Sequence, residues 1–555
     1  MSYDHERGRR DLLSFEDAQP DNYWTTDLHI RRVVVHWAGQ DTLEAWEPTF
    51  AAFGHECATV VDAAVNQNNL THNLPVLDRF SPWGERIEEV EHHASFHIAG
   101  RAIYGSGLMA ALGQPGGNTR CLTLFYLSSQ NGEAGHNCPL ACTAGAIKAL
   151  RSAGSAELQQ RYLPRFLSTD YALLAHGAQF LTEVQGGSDV GANSVRAVPE
   201  DPKAGTWRIS GEKWFCSNVT ADVILLTARP DGAPEGTKGL GLFLMPRRLD
   251  DGTLNNFEIR RLKDKIGTRT LPTAELDFDE ALAWAVGPVE EGFRNVMNYV
   301  INTSRIFNAV GCAGMSRRAC VVAGSFARFR EAFGAPIAQY PMTQETLAEM
   351  RVETAAMVSG TFLLINELDR WERGEAGEGA AEFLRIALNL NKTRTALSSH
   401  EVVVSGIEVL AGNGTIETFS VLPRLLRDNV VFENWEGSHN VLFLQAMRDS
   451  KRKSMHVPFF ARLHQLAQGH QRIEEAAKEV EATYRDLLEG DEAVASVRLR
   501  DVGSRMIWLL WGAAMHQDGT DAQVIDHFLD RRIGPAAPRD SAYLDRIANL
   551  ASDSP

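Results

Sequence analysis

Three short segments hold residue types that can do chemistry together. In the first, Leu181-Thr182-Glu183-Val184-Gln185-Gly186-Gly187-Ser188-Asp189-Val190, hydroxyls flank two glycines, so backbone N–H groups can approach a bound cofactor with no side chain in the way. The second, Trp214-Phe215-Cys216-Ser217, sets two aromatic rings near a hydroxyl donor. The third runs from Arg427-Asp428 to Trp435-Glu436-Gly437-Ser438, where a carboxylate stands beside an indole that can desolvate it and tune it as a base. A flat tricyclic ring needs hydroxyl or backbone donors at its reducible edge and an aromatic wall against water and oxygen. Singly, these segments read as a glycine turn or a core tryptophan. Jointly they imply a flavin site with Glu436 as the base.

The apolar spacing gives four segments to position these residues. Residues 1–175 are mostly helical, with Pro139 expected to open a helix whose Leu140, Ala144 and Ile147 share a face. Residues 176–285 change to short alternating runs such as Val223 to Thr227 and Ala274, Leu276, Phe278, a β domain. Long helical patterns return over 286–450, broken at 374–379, and an extra helical tail spans 451–555, with a stripe of Ile473, Ala477, Val480, Tyr484 and Leu487. The fold class is multidomain α+β.

Composition narrows the partners. The 555 residues include 55 Lys and Arg against 71 Asp and Glu, a net charge of -16 that repels polyanions overall. Seven scattered cysteines suit a reducing compartment, and no apolar run reaches the roughly 18 residues of a spanning helix, so a cytoplasmic protein with no membrane contact is expected. His93 with His97, and His136 with Cys138 and Cys142, lack the further ligands of a zinc site, and no metal is expected. Nucleotide-binding glycine motifs following a strand, and a nucleophile elbow around Ser438, are absent from the sequence.

In order and type, these segments resemble the acyl-CoA dehydrogenase family, and most closely its AidB-type, alkylation-response branch. The resemblance is carried by Thr182 to Asp189, Lys213-Trp214-Phe215, Arg330-x-x-Phe333-Gly334, Leu410-Ala411-Gly412-Asn413-Gly414, Arg427-Asp428 and Trp435-Glu436-Gly437-Ser438. It implies a helical N-terminal domain, a β-barrel-like middle domain and a C-terminal four-helix bundle, with the tail added. It implies FAD, with Thr182 and Ser217 bonded to the ring, Trp214 packed on it, and Gln179 to Leu181 along its pyrimidine side. Gly187, Ser188, Phe215, Trp435, Ser438 and Asn440 complete that cofactor set. Arg330, Phe333 and Gly412 would reach FAD held by a neighbouring subunit, which implies a homodimer or homotetramer.

By the same resemblance Glu436 takes the α-proton of an acyl thioester while a hydride passes from Cβ to flavin N5, and electrons leave to an electron-transfer flavoprotein. Arg305 and Arg448 match arginines that would hold Glu436 ionised. Trp435, Glu408 and Ala411 depart from the Tyr, Gln and Gly that many members carry. A DNA-associated alkylation-response flavoprotein is the alternative. Residues 451–555, with 14 basic and 16 acidic side chains, support it only through local clusters such as Lys451-Arg452-Lys453. Oligomerisation is the preferred reading of that tail, and the retained Glu436 argues against an oxidase or monooxygenase.

Overall fold

The change of period near residue 176 is where a sheet begins in the structure, a computed structural model that describes residues 6–201 and 204–552. The chain forms two compact units, one of Val60–Cys121 and Glu133–Phe307, the other of Met1–Thr59, Leu122–Gly132 and Asn308–Pro555.

In the first unit a short helix, Asp62–Asn68, leads to an antiparallel hairpin, β1 (Val76–Phe80) and β2 (Arg86–Glu91), inside a stretch whose spacing reads as helical. Neither strand has a fully apolar face; only Glu88 in the pair is buried, so alternation is faint there. Helix α1 (Ala94–Gly105) follows, and then α2 (Ala134–Ala153). Pro139 does not open α2; it lies in its second turn. The start is set instead by Glu133, whose carboxylate accepts from Gly135 N at 2.8 Å and from the Thr270 hydroxyl at 2.8 Å. Leu140, Ala144 and Ile147 are all buried, as their shared face requires.

The strands β3 (Gly177–Phe180), β4 (Arg196–Asp201), β5 (Thr206–Ser217), β6 (Val223–Pro230), β7 (Gly241–Pro246), β8 (Phe257–Leu262) and β9 (Thr273–Ala285) make one sheet in the order β3-β6-β4-β5-β9-β7. Because β7 also pairs with β6, the path from β6 through β4, β5 and β9 to β7 closes on itself as a barrel, with β8 added on β9. Phe180, Ile209, Leu226, Phe243, Ile259 and Leu276 belong to its core.

The second unit is helical. It contains α3 (Asn302–Phe329, which begins in the first unit), α4 (Pro341–Glu372), α5 (Ala380–Leu410), α6 (Leu422–Asn434) and α7 (His439–Lys453), with the Gly-rich break falling between α4 and α5. The tail adds α8 (Gln471–Glu489), α9 (Glu492–Gln517) and α10 (Ser541–Ser552) among its helices. Its apolar stripes are covered by helices of the same chain. The α8 stripe is buried, and Trp511 of α9 is fully enclosed with its indole N–H donating to Asn391 of α5 at 2.8 Å. Among the described residues no helix is long and apolar enough to cross a membrane.

Candidate active site

Strand β5 explains how two consecutive aromatics come to face outward. Its register against β9 shifts between Lys213 and Cys216, both buried, while Trp214 is half-buried and Phe215 is 53% exposed. A regular strand would turn Trp214 and Phe215 to opposite faces; the bulge turns both out. Lys263, just beyond β8, places its ammonium 3.5 Å from the Trp214 ring centroid and 4.9 Å from that of Phe215. The same ammonium meets Glu275 at 2.7 Å, which fixes its position.

The loop after β3 is fastened to this wall. Trp214 N donates to Thr182 O at 2.9 Å. Beneath it, Lys213 donates to Glu183 Oε1 at 2.8 Å and to Leu181 O at 3.1 Å, and Glu183 also accepts from the backbone N–H of Ser194 at 2.6 Å. Burial pushes the Lys213 ammonium down, and the Glu183 charge opposes that shift. Thr182 stays half-exposed. Position 187 must be glycine here, since a Cβ would lie 2.5 Å from the Thr182 hydroxyl. Ser217 shares a 3.0 Å hydrogen bond with Thr273, whose hydroxyl accepts from Lys265 at 2.8 Å. Gln179 donates to Ser304 at 3.0 Å, and the neighbouring Arg305 is buried. Gly187 and Ser188 are exposed. Thus the first unit gathers Gln179, Leu181, Thr182, Trp214 and Ser217 on one connected set of hydrogen bonds.

In the second unit, α6 ends at Asn434 and α7 begins at His439. The link between them bends through Glu436 at φ +59° and Gly437 at φ +108°. Left-handed backbone at a glutamate costs about 1 kcal/mol. The link is held by Lys392 of α5, which is fully buried and donates to Glu433 O at 2.9 Å and to Gly437 O at 3.0 Å. Glu433 accepts from His400 at 2.7 Å and lies 3.3 Å from His439. Burial pushes the Glu433 carboxyl up, but the two histidines hold it below the usual range. Trp435 packs on Phe432 with ring centroids 4.5 Å apart, and its indole N–H is buried with no partner among the described residues.

The remaining expected residues are placed less tightly. Asn440 is exposed and accepts from Arg500; Ser438 caps α7 without a side-chain bond. Arg448 is half-exposed beside Asp449, which binds Arg385 at 2.8 Å. Arg427 pairs with Glu417, and Gly412 is exposed in a short turn after α5. Arg330 ends α3, and Phe333, at φ +53°, projects fully exposed from the two-residue hairpin Glu331–Ala332 and Ala335–Pro336. The sequence marks Lys213 only as part of the Lys213-Trp214-Phe215 run, with no role, and does not mark Lys263, Lys265 or Lys392. An inward-facing lysine on alternating β5 was a signal for the first; none existed for Lys392, whose partners lie 41 and 45 residues away.

The chain matches the acyl-CoA dehydrogenase C-terminal domain over residues 290–450, the acyl-CoA dehydrogenase middle domain over 178–281 and the adaptive response protein AidB N-terminal domain over 15–173. It is 34% identical over 433 residues to acyl-CoA dehydrogenase family member 11 of Caenorhabditis elegans, covering 75% of this chain and 68% of that protein. The chain belongs to the acyl-CoA dehydrogenase family. Within that family it is also 31% identical over 417 residues to AidB of Escherichia coli K12, covering 73% of this chain and 74% of that one. The crystal structure of Caenorhabditis elegans ACDH-11 in complex with C11-CoA superposes with a TM-score of 0.82 at 28% identity, covering 96% of this chain and 91% of that one. With membership come the acyl-CoA dehydrogenase fold, FAD as cofactor and the oxidoreductase class.

The residues present fit that cofactor. The open Thr182 hydroxyl, the space kept by Gly187 and the paired outward aromatics form a polar edge and an apolar wall, as a flavin ring requires.

Proposed function

We propose that this protein oxidises an acyl-CoA to its 2-enoyl thioester. The observation that carries the reading is Glu436, set on a left-handed bend whose flanking carbonyls are both gripped by the buried Lys392. A base on so constrained a segment keeps one orientation, which proton abstraction demands. Glu436 takes the α-proton, and its electron pair becomes the new Cα=Cβ bond. FAD, when bound, supplies the two-electron acceptor for the hydrogen leaving Cβ. Thr182, Ser217 and the backbone around Gln179 and Leu181 hold its ring, with Trp214 and Phe215 excluding water. Arg305 and Arg448 are assigned as the cations that keep Glu436 ionised. Arg330, Phe333 and Gly412 serve the FAD of a second subunit, and an electron-transfer flavoprotein receives the electrons. The C11-CoA bound to the Caenorhabditis elegans relative points to a C11 acyl-CoA as the first substrate to try.

Anaerobic mixing with acyl-CoAs of graded length and branching should bleach the visible flavin band with one class of chain. Glu436→Gln should keep its FAD and lose that bleaching by at least about a thousandfold in rate, as removal of an essential base does. Full reduction in the variant would disprove the assignment of the base, and intact FAD that no acyl-CoA reduces would disprove the activity.

A further inference from the structure

Three lysines of the β domain are spent differently. Lys213 and Lys263 each meet a carboxylate, Glu183 at 2.8 Å and Glu275 at 2.7 Å. Lys265, in the turn between β8 and β9, gives two N–H groups to neutral oxygens, Leu271 O at 2.6 Å and the Thr273 hydroxyl at 2.8 Å. Thr273 opens β9 directly across the ladder from Ser217, the last residue of β5, and the two hydroxyls lie 3.0 Å apart. We infer that Lys265 and Thr273 are positioning residues that aim the Ser217 hydroxyl hydrogen at the flavin, a role that rests on the proposed contact of Ser217 with that ring.

A threonine hydroxyl has one hydrogen and two lone pairs, whereas an ammonium can only donate. Lys265 therefore fills one lone pair of Thr273 and leaves it one hydrogen and one acceptor site. That hydrogen has two oxygens within reach, Ser217 Oγ at 3.0 Å and Leu271 O at 3.5 Å. The second is long for an O–H···O bond and already takes the Lys265 ammonium at 2.6 Å. Ser217 is thus the acceptor, and the positive charge beside Thr273 polarises its O–H in the same direction. Among the described residues the Ser217 side chain has no other hydrogen bond, so its own hydrogen is left for an acceptor outside the chain.

The backbone keeps this order in place. Thr273 is buried, and its carbonyl accepts from Lys263 N at 2.7 Å. Leu271 N donates to Thr268 O at 3.1 Å, across a turn that Thr268 enters at φ +51°. A hydroxyl held in one sense by a cation needs no reorientation as negative charge builds on a ring beside it, so the reduced flavin is the state it favours.

The midpoint potential of the FAD-loaded protein is measured by anaerobic dye-coupled reduction with no acyl-CoA present, and the FAD Kd from the fluorescence released on dilution. Thr273→Val and Lys265→Met are each expected to disfavour the reduced flavin by at least about tenfold, about 30 mV for a two-electron couple, and to raise the FAD Kd about fivefold. In the first, Ser217 loses the donor that orients it; in the second, Thr273 regains a lone pair to which the Ser217 hydrogen can turn. Thr273→Ser, which returns a hydroxyl, should restore both values. Adding Thr273→Val to Ser217→Ala should move the potential no further, because Thr273 acts through Ser217. A fall in Tm with the potential unmoved would leave Thr273 and Lys265 structural roles only and overturn the proposal, as would a full further shift in the double variant. An unmoved potential in Ser217→Ala would instead overturn the ring contact itself. Bleaching by acyl-CoA, measured apart, decides the dehydrogenase reading whichever way the potentials fall.

Discussion

Lys392 is the residue on which the geometry of the proposed base depends. Its ammonium is enclosed and holds two carbonyls on either side of Glu436. In Lys392→Met those carbonyls lose a charged donor. A loss of about 2 kcal/mol in folding stability is expected, with a fall in kcat of at least about tenfold while FAD stays bound. Urea unfolding and stopped-flow reduction check the two parts separately, and an unchanged kcat would show that the bend holds without Lys392. At this scale the motif residues were legible in the sequence, because Thr182, Trp214 and Glu436 sit in short runs of unusual type. Lys392 was not, since a lysine inside Leu388 to Thr395 carries no mark of carbonyls far along the chain.

Among the elements, α1 and α2 show what a sequence conceals. His93 and His97 read as a helical pair, but His93 caps α1, and the rings that matter are stacked: His92 on Phe96 at 3.8 Å, and Phe96 on His136 at 4.0 Å. His136 donates to Phe96 O at 2.8 Å. Burial pushes His136 down to about 3 and His92 to about 4, with neighbouring histidines adding to both shifts. These pKa values lie below the ordinary 6.5, so on acidification the unfolded chain takes its protons first. Stability is therefore full above that value and declines as pH falls from it toward the folded values. Between about pH 7.5 and about pH 5.5, His136 alone should cost about 1.4 kcal/mol. His136→Gln, which keeps an N–H for Phe96 O, should flatten the pH dependence of the urea midpoint; an unaltered slope would refute the assignment. The barrel was readable because β6 and β9 alternate or run apolar. The bulge in β5 was not, because it depends on how that strand registers against β9.

For the whole molecule, the exposed ring of Phe333 is the strongest sign of a partner. A phenylalanine left wholly in water, on a hairpin two residues long and at a left-handed φ, is unfavourable to an isolated chain. Arg330→Ala and Phe333→Ala are each expected to weaken FAD retention on gel filtration by at least about tenfold in apparent Kd, with a shift toward smaller assemblies in light scattering, the anchoring contacts being aromatic and Arg. Tight FAD in an unshifted assembly would exclude sharing across subunits. The fold class was legible from changes of apolar period, while the burial of the tail's stripes against its own bundle was not, because amphipathicity never says which surface covers it. The left-handed bends at Phe333, Ala411 and Glu436 carry an evolutionary consequence. Each relaxes on replacement by glycine, by about 1 kcal/mol. Laboratory selection for heat resistance alone should therefore drift these positions toward glycine, whereas selection for growth on the enzyme's substrate should keep glutamate at 436, so the two lineages would record separately what the chain needs to fold and what it needs to react.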